Sequence, residues 1–237
     1  MTVGEIIQAV RWCYDEEQMD GADFHNASSN DNTLMDNIIK SKIGDAVRWI
    51  CLYSPAELLG GSDEEEDGEP VDTGILTDYE PETVTAITVG TDSRGGSFEV
   101  PEDYIKLARV RVEGWHRAVK NPLSEDSDEY LQLYDDNGAM ATADRPQAAI
   151  IDKAIKKIEV WPWSSDKVVE MTYVSAIDDV IQERSVSPSG TEEFVALPPK
   201  VKTAFIYYLA FLVLSAYEDS RAARMLDIAK MNIGKNQ

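Results

Sequence analysis

The chain has 237 residues, 43% hydrophobic, 8% aromatic and 28% charged, a globular composition with length for one large domain or two small ones. Its 44 acidic side chains against 22 basic ones leave a formal charge of −22 and a pI near 4.3. A surface of that sign repels phosphate, which excludes a nucleic-acid binder of the basic-patch kind.

The first residues, Met-Thr-Val-Gly-Glu, lack the basic start and continuous apolar stretch of a signal peptide, so export is not expected. Val3, Ile6, Ile7, Val10 and Cys13 recur at helical spacing, as do Leu34, Ile38, Ile39, Ile43, Ala46, Val47, Ile50 and Cys51, which predicts two amphipathic helices. Asp31 or Asn32 is the expected N-cap of the second, Pro55 its stop, and Asp20 through Asp31 a polar loop between the two. Cys13 and Cys51 allow one disulfide, but without an export signal they read as two buried free thiols. Trp12 and Trp49 lie beside them, so both pairs can meet in one core between antiparallel helices.

Charge is unevenly spread. Residues 1–48 carry −5, 49–93 carry −12 without a single base, 94–190 carry −6 and 191–237 carry +1. Within the second stretch, the run from Gly60 through Asp63-Glu64-Glu65-Glu66-Asp67 to Pro70 joins turn formers to like charges that repel one another. Such a run cannot bury apolar surface, and 60–83 reads as an acidic flexible linker. It lacks the alternating oxygen ligands ending in Glu that a calcium loop needs.

Beyond the linker the hydrophobic period shifts toward two. Val84 to Val89 is β-branched and ends in Gly90, Phe98 to Val100 precedes Pro101, and Ala108, Val110 and Val112 alternate with Arg109, Arg111 and Glu113. Ala148 to Ile155 reads as a strand. Lys157 to Trp161 and Val168 to Val174 continue the pattern, joined by Pro162 to Asp166 as a hairpin-like turn. Asp178 to Arg184 reads as a short helix before a second linker, 185–196.

Leu197-Pro198-Pro199 then opens a helix whose apolar residues, Ala204, Phe205, Tyr208, Leu209, Leu212, Val213 and Ala216, run nearly all the way round. The longest apolar run, Ala204 to Tyr217, has fourteen positions including Ser215, short of the ~20 that cross a bilayer, and reads as a buried helix. Asp219-Ser220 restarts or bends it, and Ala222, Leu226, Ala229 and Ile233 form the next apolar face. The expected architecture is α+β: a helical bundle from residues 1–59 and 197–237, with an antiparallel β domain over 84–184 inserted between its halves.

No catalytic constellation accompanies this layout. His25 and His116 are the only histidines, and neither has a second His or Cys at metal-ligand spacing. No Gly-x-Ser-x-Gly elbow or phosphate-cradling glycine motif occurs, and the glycines of Gly90 to Gly96 fit a hairpin between strands. No catalytic, cofactor-binding or metal-binding residue is therefore assigned. Tyr207, Tyr208, Phe205 and Phe211 read as helical core. Trp161 and Trp163 flank Pro162 at a strand end, where simple alternation cannot turn both rings inward, so one is expected at a partner surface or beneath a loop. In the near-neutral C-terminal segment, Lys200, Lys202, Arg221 and Arg224 are the candidates for contact with acidic neighbours.

The order of parts resembles a known family. Short N-terminal helices, a β insertion carrying Val100-Pro101-Glu102-Asp103-Tyr104, Arg145-Pro146 followed by Ile158-Glu159-Val160-Trp161-Pro162, and Leu197-Pro198-Pro199 opening a Tyr/Ala-rich helix are similar to the head-to-tail connector (adaptor) proteins of tailed bacteriophages, particularly the gatekeeper type. The resemblance implies a non-enzymatic virion structural protein, made in the host cytoplasm and placed in the neck. It further implies a ring of usually twelve copies docked on the portal, contacting adjacent tail or ring proteins, with double-stranded DNA passing through the lumen without specific binding. It implies no cofactor and no membrane. The alternatives are an intracellular acidic interaction module, of DNA-mimic or regulator type, and an enzyme with an acid pair in the β domain.

Overall fold

A computed structural model describes residues 1–15, 29–60, 75–135, 141–152, 155–177, 180–185 and 191–234. The acidic run after Gly60, most of the expected loop between the first two helices, His25 and residues 186–190 of the second expected linker lie outside the described residues. The chain begins with α1 (Val3–Asp15), α2 (Ser29–Tyr53) and the short α3 (Ala56–Leu59). It continues through β1 (Leu76–Tyr79), β2 (Thr85–Val89), β3 (Asp92–Glu99), β4 (Tyr104–Val112), β5 (Leu123–Ser124), α4 (Asp128–Leu133), β6 (Gln147–Asp152), β7 (Lys156–Trp161) and β8 (Val169–Ser175). It closes with β9 (Gln182–Ser185), β10 (Thr191–Phe194), a 3-10 turn at Pro199–Val201, α5 (Lys202–Ala216) and α6 (Ala222–Asn232). The fold is α+β, with N-terminal helices, a central sheet domain that is mainly antiparallel, and C-terminal helices.

The chain divides into a helical unit, Met1–Ile75 with Ala176–Gln237, and a β unit, Leu76–Ser175. In the helical unit α5 contacts α1, α2 and α6, and its core is mainly aliphatic: Ile6, Val10, Ile39, Ile43, Ile50, Leu209 and Ile233 are buried, as is Phe205. Pro199–Ala216 is apolar and long enough by composition to cross a bilayer, but its Ala204, Phe205, Ile206, Leu209, Ala210 and Val213 are buried in this core. Cys13 and Cys51 are buried and not joined in a disulfide. Thr2 and Glu5 cap α1 reciprocally: the Glu5 amide donates to Thr2 Oγ1 at 3.1 Å, and the Thr2 amide donates to Glu5 Oε2 at 2.9 Å. The N-terminal residues are tied to the second half of the unit, the Val195 amide donating to the Met1 carbonyl at 2.8 Å.

Several expectations are corrected here. The second helix starts at Ser29, ahead of Asp31 and Asn32. Residues 182–185 form a strand, not a helix, because β9 pairs with β10 along Gln182 to Ser185, and this hairpin belongs to the helical unit. On α6 Ala222 and Ala229 are buried as expected, but the position buried between them is Met225, with Leu226 only partly covered.

The β unit packs a three-stranded sheet, β1-β8-β4, against a five-stranded one, β2-β3-β7-β6-β5. Leu107, Val110, Val112, Val169, Met171 and Tyr173 from the first meet Phe98, Ala148, Ile158 and Val160 from the second, the aligned-sandwich solution for two half-apolar sheets. The segment Pro162 to Asp166 does not close a hairpin: β7 pairs with β3 and β6, whereas β8 pairs with β4 and β1, so it carries the chain from one sheet to the other. Leu107 replaces Ala108 on the inner face because the register shifts between Leu107 and Arg109. The hairpin between β2 and β3 turns at Gly90-Thr91, and Gly95 and Gly96 lie within β3.

Candidate interaction surfaces

Trp161 and Trp163 lie inside the β unit, 2% and 7% exposed, which removes both from the interface set. The physical reason is the pair Gly95-Gly96. A Cβ on Gly95 would stand 2.7 Å from the Trp161 ring, and one on Gly96 would stand 2.7 Å from Trp163. Consecutive strand residues face opposite sides, so the two glycines admit one ring on each face of the sheet. Trp163 joins the core between the sheets and donates from Nε1 to the Lys167 carbonyl at 3.1 Å. Trp161 packs on the outer face with Val89 and Leu133 and meets Tyr134 edge-on, centroids 5.2 Å apart. That outer layer also holds Glu159, whose carboxylate accepts a 2.8 Å hydrogen bond from the Tyr134 hydroxyl. Burial, then the Tyr130 and Glu159 hydrogen bonds, push the Tyr134 phenol well above its ordinary value.

The four C-terminal cations differ in availability. Arg221 is committed to Asp219: Nε sits 3.0 Å and 3.2 Å from the two carboxylate oxygens and a terminal nitrogen 2.7 Å from one of them, while the Arg221 amide donates to the same carboxylate at 2.9 Å. These hydrogen bonds hold the Asp219 carboxyl down at about 2. Arg224 is exposed on α6 and already engaged within the chain. Lys200, exposed in the 3-10 turn, and Lys202, half-buried at the start of α5, form no ion pair among the described residues.

Two further surfaces were not legible as sites in the sequence. The first is an aromatic strip on the helical unit. Trp49 stacks on Tyr208 with centroids 4.1 Å apart and planes 10° off parallel, and Tyr53 and Phe211 extend the row. Of the four rings expected in the core only Phe205 is fully enclosed; Tyr207, Tyr208 and Phe211 are half-buried. Burial, followed by the neighbouring Tyr53 and Asp45, raises the Tyr208 phenol. Leu52 and Tyr53, both 47% exposed, continue the strip along α2.

The second is a cleft of about 510 Å³ on the β unit, lined by Asp78, Arg109, Arg111, Arg117, Glu170 and Thr172 among others. Its floor is the outer face of the β1-β8-β4 sheet, because these residues alternate with Val110, Val112, Val169 and Met171 of the core. Arg109 Nε donates to Thr172 Oγ1 at 3.0 Å, and Thr172 Oγ1 donates to Asp78 at 2.5 Å. Arg111 reaches the Trp115 carbonyl at 3.4 Å. His116, beside them, pairs with Asp144 at 2.5 Å. Among the described residues no group of three or more His, Cys, Asp or Glu side chains could hold a metal ion.

The surfaces described above are an aromatic strip on the helical unit and a charged cleft on the β unit. The model of the SU10 adaptor protein family matches residues 1–233, nearly the whole chain and both units, so the protein belongs to that family of phage adaptor proteins. No curated protein matches the chain.

Proposed function

We propose that the protein is a ring-forming head-to-tail adaptor of the virion neck, docking on the portal and linking it to the tail. The observation that supports this reading is the family match over residues 1–233, which takes in the terminal helices and the β insertion together. Twelve copies form the ring, and duplex DNA passes through its lumen without specific binding. The strip Trp49, Tyr53, Tyr208 and Phe211 supplies apolar area for subunit or portal contact. Lys200, Lys202 and Arg224 contact acidic neighbouring surfaces. A charge of −22 per copy keeps the lumen from holding DNA.

Charge also sets the conditions of assembly. Closing a ring of copies at −22 works against mutual repulsion, so assembly requires screening salt, divalent cations or the portal as template. Purified protein mixed with the portal is expected to give ring particles on portal by negative-stain imaging, with the matching mass by light scattering. A chain that remains monomeric beside the portal at every salt concentration overturns the reading.

A further inference from the structure

Among the described residues the two sheets of the β unit end in four edge strands, β1 and β4 in one and β2 and β5 in the other. Three of them carry the devices that keep a strand edge from pairing with foreign chains. β1 includes Asp78 and runs into Glu80-Pro81. β4 includes Lys106, Arg109 and Arg111, and part of its edge is already taken, since Val110 and Val119 exchange two backbone hydrogen bonds of 2.9 Å. β5 has two residues, preceded by Pro122 and followed by Glu125 and Asp126.

β2 has none of these. Val84 through Thr91 contain no charged residue and no proline, in a chain that is 28% charged. Thr85, Ala86 and Thr88 are exposed, and Ile87 is half-buried. Among the described residues Thr85–Val89 hydrogen-bonds to β3 alone, so alternate residues turn an N–H and a C=O outward without a partner in the chain. The ladder shifts between Ile87 and Thr88, but Ile87 faces Gly95 and Thr88 faces Ser93, which places the extra residue, Arg94, in β3 and leaves β2 regular. A regular, uncharged, β-branched edge is a template for a further strand.

Charge at the two ends of this edge selects the partner. Glu82 and Asp92 flank β2, both exposed, and residues 49–93 hold no base. The Arg94 guanidinium comes no nearer to Asp92 than 4.0 Å. A second copy's β2 fits this edge poorly. Paired antiparallel about Ile87, it sets Glu82 against Asp92; paired parallel, it sets each acid against itself, and like charges directly opposite repel. We propose that β2 receives, by strand addition, an extended segment of a different protein, β-branched in the middle and basic at both ends. Main-chain hydrogen bonds to the open edge hold that segment, while Glu82 and Asp92 fix its register. This contact is additional to the ring and portal contacts above and does not depend on them.

The test uses the full chain and the capped peptide Lys-Thr-Val-Thr-Val-Thr-Lys, followed by isothermal titration calorimetry and amide hydrogen exchange. The peptide is expected to bind and to slow exchange of amides within Thr85–Val89. The same peptide with proline at its centre, which cannot complete the ladder, and a peptide with Glu in place of both lysines are each expected to bind at least roughly tenfold more weakly. In the chain, Glu82→Lys with Asp92→Lys is expected to reverse the order of the Lys-ended and Glu-ended peptides, unchanged circular dichroism establishing its fold. No binding at millimolar peptide, protection outside β2, equal binding of the proline peptide, equal binding of the two charge forms or an unchanged order in the variant each overturns the proposal. Protection of β2 that appears without peptide as the chain is concentrated assigns the edge to a second copy and overturns it equally. If the peptide fails to bind while rings form on the portal, the strand contact fails and the ring reading stands; peptide binding without rings leaves the strand contact standing and the ring reading overturned.

Discussion

The two units bury apolar surface by different rules. In the helical unit an aliphatic face recurs along each helix, and α5 is shared among α1, α2 and α6. Any side chain of similar volume at the right phase serves there. In the β unit the core is built on Trp115, Trp161 and Trp163, each fitted to a particular distant neighbour: Trp115 donates to the Pro162 carbonyl at 2.9 Å, and the other two rings lie over Gly95 and Gly96. The first kind of core depends on pattern and the second on pairs. The pattern core leaves aromatic rings over for its surface, while the pair core spends its rings inside and leaves charge outside.

The sharpest way to break this contrast is to place a side chain under Trp161. Gly95→Val puts a branched Cβ 2.7 Å from a buried ring and is expected to cost about 4 kcal/mol in urea unfolding; a cost below about 1 kcal/mol would mean that the pair is not a fitted one. Next comes Leu209→Ala on α5, fully buried, with an expected loss of about 3 kcal/mol. Leu209→Met should lose less than about 1.5 kcal/mol, since the volume is kept, and an equal loss in both would place α5 among the fitted pairs. Trp115→Phe keeps most of the ring but strands the Pro162 carbonyl, for about 1–2 kcal/mol by the same measurement.

A glycine in the helical unit reverses the sign. Gly44 lies within α2, and a Cβ there meets nothing within 4 Å, so Gly44→Ala should raise stability by about 0.5–1 kcal/mol. The smallest effect concerns the turn between α5 and α6. Because Arg221 holds the Asp219 carboxyl below its ordinary 3.8, at about 2, the pair stabilises the fold above the ordinary value. That contribution is lost as pH falls from 3.8 toward 2. Asp219→Asn should lower thermal stability near neutral pH and flatten its decline over that acid window. An unchanged acid decline would locate the pH dependence elsewhere.

Much of the fold is legible in the residues themselves. Four-and-three spacing marks α1, α2, α5 and α6, and alternation marks β2, β6, β7 and β8, because the periods of helix and strand are local properties of the backbone. What each strand pairs with is not local. Lys157–Trp161 and Val168–Val174 are close in sequence and of like pattern, yet they enter different sheets. The short apolar stretch near 180 carries no period long enough to separate helix from strand. The interface candidates fared according to the same rule. Trp161 and Trp163 suggested a surface because two large rings two residues apart crowd a strand end; β7 ends at Trp161, and the face that receives this ring is made by Gly95 and α4.

Composition, charge and period by themselves determined the α+β class, the order of helical and β segments, the burial of both cysteines and the excess of acid, since each depends on residue identity or on neighbours within a few positions. Only the tertiary structure decided that Trp161 and Trp163 are internal, that Arg221 is spent on Asp219, and that Arg109, Arg111 and Arg117 share one cleft with Asp78, Glu80 and Glu170. Those are facts of approach between residues tens of positions apart, and side-chain fit and charge pairing exist only once the sheets have chosen their partners.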